Sequence, residues 1–81
     1  MREALAEPAK RVVGTKQILK KFAKDELKLL FVAQDAQERI TLPLLDLAKD
    51  HEVAVITVKS MDELGRLCGI EVGAAAAGVL K

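Results

Sequence analysis

Short runs of apolar and β-branched residues alternate with stretches of helical periodicity along this chain, and that alternation leaves few folds open. Leu27–Ala33 is an apolar stretch containing Phe31 and Val32 and reads as a strand buried on both faces. Val53–Val58 reads as a second buried strand, and Lys10–Val13 as a short one. After Gly14, Thr15 is a good N-cap for a helix running to about Lys24. The polar segment 34–38 is a loop, and a helix follows from about Thr41 to Asp50, with Pro43 tolerable only in its first turn. Leu44, Leu45, Leu47 and Ala48 give that helix a wide apolar stripe. Ser60 stands three residues before Glu63, the spacing of a capping box. The helix it opens is expected to bury Met61, Leu64, Leu67 and Cys68 and to stop at Gly69. Propensity alone makes the alanines of Gly73–Leu80 helical. Their place at the end of a strand–helix series makes them a strand instead, with side chains small enough for a helix to lie close. The order is β-α-β-α-β-α-β after a short helical turn over residues 2–9. This predicts an α/β fold, a three-layer α/β/α sandwich around a four-stranded mixed sheet.

At 81 residues the chain is one domain, residues 1–81, with no repeat and no linker. Half the residues are apolar (51%), enough for a small core, but there are two Phe and no Tyr or Trp. A row of aromatics for stacking bases is therefore excluded. The single cysteine, Cys68, rules out an internal disulfide, and with His51 as the one histidine it also rules out a cysteine-based zinc site. No apolar run approaches the roughly 20 residues of a membrane span. The first residues carry two acids and no apolar core of a signal peptide, so a cytoplasmic location is expected.

The net charge of +1 conceals an uneven distribution. Residues 10–28 carry a net +5, and residues 29–81 a net −3. A short basic stretch of this kind suits a polyanion. Within it, Gly14-Thr15-Lys16-Gln17-Ile18-Leu19-Lys20 places a helix start after a glycine turn. Ile18, Leu19, Phe22 and Ala23 fall on one side of the wheel, and Lys16, Gln17, Lys20, Lys21 and Lys24 on the other. The helix N-terminus offers unpaired N–H groups to a phosphate, and Gln17 can donate and accept at a base edge. The plainer alternative is a solvated lysine face. The loop Gly69-Ile70-Glu71-Val72-Gly73 also has two readings: Ile70 or Val72 docks back on the helix end, or the loop presents an apolar patch to a ligand.

Catalysis finds no support. There is no Ser/His/Asp set, and His51 sits near a helix C-terminus, where the dipole favours it. The pairs Asp25-Glu26 and Asp62-Glu63 lie at helix ends as solvated acids. Gly14-Thr15-Lys16 lacks the first glycine of a phosphate-binding P-loop. Cys68 shares an apolar stripe with Leu64 and Leu67, which marks a buried, inert thiol.

Four blocks in order, Gly14-Thr15-Lys16-Gln17-x-x-Lys20, Phe31-Val32-Ala33-Gln34-Asp35, Leu42-Pro43-Leu44-Leu45 and Glu63-Leu64-Gly65-Arg66-Leu67-Cys68-Gly69-Ile70-Glu71-Val72, resemble the L-seven-Ae family of ribosomal and kink-turn RNA-binding proteins. The similarity runs from about Lys10 to the C-terminus and is strongest to the short bacterial members. It implies binding to a kink-turn, a bent RNA helix with tandem sheared G·A pairs beside a three-nucleotide bulge. Gly14, Thr15, Lys16, Gln17 and Lys20 match the motif that contacts the sheared guanines. Ile70, Glu71 and Val72 match the loop that covers the flipped-out bases. Lys24 matches a position near the RNA backbone, and Asp35 and Gln37 lie in a loop that can approach the bulge. The usual Asn-Glu pair is Lys16-Gln17 here, so binding is expected to persist but to depend more on salt. The resemblance implies a monomer without cofactor, metal or small-molecule substrate, and an RNA that is ribosomal, a riboswitch or an mRNA leader. Two other readings stand beside it: a structural ribosomal or ribonucleoprotein component held partly by protein contacts, and a protein-interaction module built on Ile70 and Val72.

Overall fold

The structure, a computed structural model, describes residues 10–81; the helical turn expected over 2–9 lies outside the described residues. Its elements are β1 (Arg11–Val13), α1 (Thr15–Ala23), β2 (Leu27–Ala33), α2 (Glu38–Asp50), β3 (Ala54–Val58), α3 (Met61–Leu67) and β4 (Ala76–Leu80). The strands form one sheet in the order β1-β4-β2-β3. β4 runs antiparallel to both β1 and β2, while β2 and β3 are parallel, so the sheet is mixed. Side-chain alternation along β2 divides the core. Leu30 and Val32 face Ile18 and Phe22 of α1 and Leu44 and Ala48 of α2. Leu29, Phe31 and Ala33 face Leu64 and Cys68 of α3. The three-layer α/β fold read from the sequence is the fold observed. Burial of Phe22, Phe31 and Leu30 contributes about 1.5–3 kcal/mol for each side chain.

Tertiary position overrides helix propensity in β4. Ala76 and Ala77 are fully buried between strands on both sides and helices above and below, where larger side chains would hold the layers apart. At Gly78 the space of a Cβ is already taken by the side chains of Leu27, 2.5 Å away, and Val12, 3.2 Å away.

Several local expectations are corrected. Thr15 is the first helical residue rather than the cap; Gly14 caps α1, with no side-chain hydrogen bond. α2 begins at Glu38, so Pro43 lies inside it rather than in its first turn. Pro43 leaves the Arg39 carbonyl without its helical donor, but both residues are exposed and water can serve that carbonyl. β3 is an edge strand rather than a fully buried one: Ala54, Val55 and Thr57 are exposed, and Val58 alone is buried. Leu19 and Ala23 of α1 and Met61 of α3 are exposed, because each helix covers its sheet face with a narrower stripe than the wheel implies.

The end of α3 follows the expected chemistry. Ser60 Oγ accepts from the Glu63 N–H at 3.1 Å. Gly69 turns the chain at φ +73°, and the N–H groups of Gly69 and Ile70 donate to the carbonyls of Arg66 and Gly65, a Schellman closure. The Arg11 guanidinium lies against this turn. Cys68 is buried, which pushes its thiol pKa up, with Arg11 opposing the rise. His51 caps α2, its ring 5.4 Å from that of Phe22 and its Nδ1 3.7 Å from Asp25 Oδ1. No helix among the described residues is long and apolar enough to cross a membrane.

Candidate nucleic-acid interface

The first turn of α1 is basic and receives no side-chain cap. Gly14 adopts φ +97°, a backbone region that side chains disfavour, although a Cβ there would meet nothing. The glycine thus serves the turn from β1 into α1, not the packing. The first helical hydrogen bond runs from the Ile18 N–H to the Gly14 carbonyl, so the N–H groups of Thr15, Lys16 and Gln17 precede the ladder. No acid occupies this turn, although the dipole favours one there. Lys16 and Gln17 are exposed beside it, and Lys20 is exposed one turn on. The arrangement combines free donors, a positive dipole end and cations, which together suit an anion.

This helix start lies at the rim of the sheet to which the second candidate segment leads. The Gly14 N–H donates to the Ala76 carbonyl at 3.3 Å, where β4 begins, and the chain enters β4 from the loop holding Ile70, Glu71 and Val72. The segment that follows Val72 thus runs along α3 to the start of β4 beside the helix start, a path the sequence could only allow. β2 and β3 are parallel and in register from Leu29↔Ala54 to Ala33↔Val58, so both end at the same rim. Their following loops join it through the Gln34 N–H, which donates to the Val58 carbonyl at 2.8 Å.

Within the loop the side chains part company. Ile70 packs against the α3 core cluster, while Glu71 is exposed and Val72 is 70% exposed. Ile70 is therefore the residue that docks on the helix end, and Val72 is the one left facing solvent. Lys24 does not join the rim. It is the C-cap of α1, about 14 Å along the helix from its start. Asp35 lies at the rim with its Oδ1 accepting from the Met61 N–H, and Gln37 accepts from Arg39 Nε at 2.9 Å. Lys59, exposed directly after β3, adds a cation at the rim that sequence reasoning missed. The signal for it was available: residues that follow two parallel strands end up side by side.

The family model described as "Ribosomal protein L7Ae/L30e/S12e/Gadd45 family" matches residues 2–81. The chain belongs to this family. Among its relatives, an RNA-binding protein of Bacillus pumilus is 42% identical over 69 residues, 85% of this chain and 84% of that protein. The large ribosomal subunit protein eL8 of Halobacterium salinarum is 38% identical over 68 residues, 83% of this chain and 57% of that protein. In three dimensions the chain superposes on a Giardia lamblia 15.5kD RNA binding protein with a TM-score of 0.88 at 26% identity, covering 99% of this chain and 68% of the other. Membership of the L7Ae/L30e family accounts for the block order along the chain and for the mixed sheet.

The exposure of Val72 yields a direct prediction. Val72→Ala removes little buried surface, so the melting temperature is expected to stay within a few degrees. The same change is expected to weaken RNA binding, and Val72→Asp to weaken it further through loss of apolar cover and repulsion of phosphate. A melting curve and an RNA titration on the same variant decide. A large fall in melting temperature with unchanged affinity of the folded fraction would remove this loop from the interface.

Proposed function

We propose that this protein is a non-enzymatic RNA-binding protein that recognises kink-turn RNA and holds it bent. The observation that carries this reading is a basic helix start, without a side-chain cap, at the rim reached by the segment that carries an exposed apolar residue, Val72. A phosphate binder needs only the first. A binder of RNA with unstacked bases needs both, because an extruded base exposes an apolar face that water solvates poorly. Gly14, Thr15, Lys16, Gln17 and Lys20 face the groove at the sheared pairs, and Glu71 and Val72 cover the bulge from a loop that Ile70 anchors to α3. Lys24 meets the backbone farther along the helical arm. The names of the Bacillus pumilus and Giardia lamblia relatives support RNA as the partner.

The mechanism is a shift of population. Free RNA exchanges between extended and kinked forms, and a ligand that binds one of them draws the equilibrium toward it. The protein acts as a single domain and monomer in the cytoplasm, on ribosomal RNA, a riboswitch or an mRNA leader. The name of the Halobacterium salinarum relative favours a second reading, a structural component of the ribosome. Retention of the protein on ribosomal subunits through a high-salt wash separates the two.

The test is a titration against an isolated kink-turn duplex and the same duplex without its bulge. Tight binding to the first and weak, salt-sensitive binding to the second is the expected result; equal affinity overturns the proposal. At the level of one side chain, Lys20→Ala is expected to cost about 1–3 kcal/mol of kink-turn affinity, as for a base-edge contact. Its melting temperature should hold, since Lys20 lies exposed on the polar face of α1. Normal binding, or an unfolded variant, would show that Lys20 is elsewhere in the design.

A further inference from the structure

Three loops meet at the rim, and one residue's peptide groups tie them together. The Met61 N–H donates to Asp35 Oδ1 at 2.8 Å, and the Met61 carbonyl accepts from the Ala74 N–H at 3.1 Å. Asp35 comes from the turn after β2, Met61 opens α3, and Ala74 closes the segment that carries Glu71 and Val72. The same segment presses on α3 at two further points. A Cβ on Gly65 would overlap the Val72 carbonyl oxygen, and one on Gly73 would stand 3.1 Å from Met61 Cβ. Val72 thus carries an exposed side chain on a backbone held against α3 from Gly65 to Met61.

Ser60 serves one donor of the first turn of α3, the Glu63 N–H, and leaves the Met61 N–H to another acceptor. The Asp35 carboxylate is that acceptor, taking the first N–H of the helix across 26 residues of sequence. The bond is charge-assisted and lies at the positive end of the helix, both of which strengthen it. An acid on a surface that meets phosphates repels them, and this engagement with the helix dipole reduces that repulsion.

We infer that Asp35 is a positioning residue of the RNA interface, which fixes Met61 and through it the segment that presents Val72. The inference rests on the RNA-binding reading above. Its physical content is preorganisation: the segment is ordered before the RNA arrives, so the cost of ordering it does not fall on binding. Asp35 therefore acts on affinity without touching the RNA, in contrast to the direct approach to the bulge that the family resemblance implies for its loop.

Asp35→Ala is expected to weaken kink-turn binding by about threefold to tenfold, the scale of one surface group losing its order. Asp35→Asn keeps an acceptor for the Met61 N–H and is expected to restore most of the loss. Amide exchange at Ala74 should accelerate in Asp35→Ala while the amides of Phe31 and Ala77 in the core keep their protection. The deciding measurement is a double-mutant cycle with Val72→Ala. If Asp35 acts through Val72, adding Asp35→Ala to Val72→Ala costs less than about twofold more. Full additivity, or an Asp35→Ala protein with unchanged or tighter binding, overturns the inference. A wild-type protein that does not prefer kink-turn RNA sinks the functional reading instead, and exchange at Ala74 still reports whether Asp35 holds the segment.

Discussion

Replacing the tandem sheared G·A pairs of a kink-turn by Watson–Crick pairs is expected to lower this protein's affinity roughly a hundredfold, on the order of 3 kcal/mol. On the proposed reading, Gln17, Lys16 and Lys20 read two guanine edges at about 1–3 kcal/mol each, and both are lost together. Watson–Crick pairs also straighten the helix, so Val72 no longer has unstacked bases to cover. The binding that survives is the attraction of Lys16, Lys20 and Lys24 for phosphate. It should fall with salt at a log–log slope of roughly −2 to −3, as expected for three phosphate contacts. Lys16-Gln17 brings a cation and a single neutral acceptor oxygen to the guanines, so the specific complex itself should be unusually sensitive to salt. Titrations of both RNAs at two salt concentrations measure all of this. Equal affinities at moderate salt would leave a general polyanion binder.

The second large effect concerns stability. Gly65→Ala is expected to destabilise the fold by about 2 kcal/mol, against the rule that Ala improves a helix by about 1 kcal/mol over Gly. The new Cβ would overlap the Val72 carbonyl oxygen, with Val72 C at 3.1 Å and Gly73 Cα at 3.2 Å behind it. All three are backbone atoms, so no rotamer change relieves the clash. The loop must lift from α3, which breaks the Ala74–Met61 bond, or α3 must shift off a core built on Leu64 and Cys68. In a domain of this size, 2 kcal/mol lowers the melting temperature by roughly 8–16 °C. Affinity in the folded fraction should fall as well, because the displaced atoms carry Val72. A melting temperature equal to or above that of the wild type would show that the loop moves freely and is not held by α3.

The places where sequence reasoning succeeded and failed have a common physical origin. Ser60 with Glu63, and Gly69 after α3, were legible because capping is settled within a few residues of chain. Leu27–Ala33 was legible because seven residues with one exposed lysine fit only a central strand. Val53–Val58 is richer in β-branched residues than Leu27–Ala33 yet forms an edge, because composition reports strand propensity and not how many neighbours a strand has. Pro43 was placed too near a helix start, since an exposed carbonyl at Arg39 can be hydrated and tolerates the lost donor. Gly14 displaced Thr15 as cap because the chain must turn sharply between β1 and α1, and only the folded path from Val13 to Thr15 reveals that.

The same division holds for the site. The sequence by itself determined which groups are available: a glycine-opened basic helix start, a loop with two apolar residues between glycines, and the alternation that builds the sheet. These are local properties, written in composition and spacing within short windows. The tertiary structure decided that the segment leaving the loop reaches the helix start, through the pairing of β1 with β4 and the bond from Gly14 to Ala76. It also decided that Ile70 turns inward while Val72 stays out, and that Asp35 and Gly65 fix the loop against α3. The bonds from Asp35 to Met61 and from Gly14 to Ala76 join residues 26 to more than 60 positions apart, and strand order, which no local pattern encodes, is what brings them together.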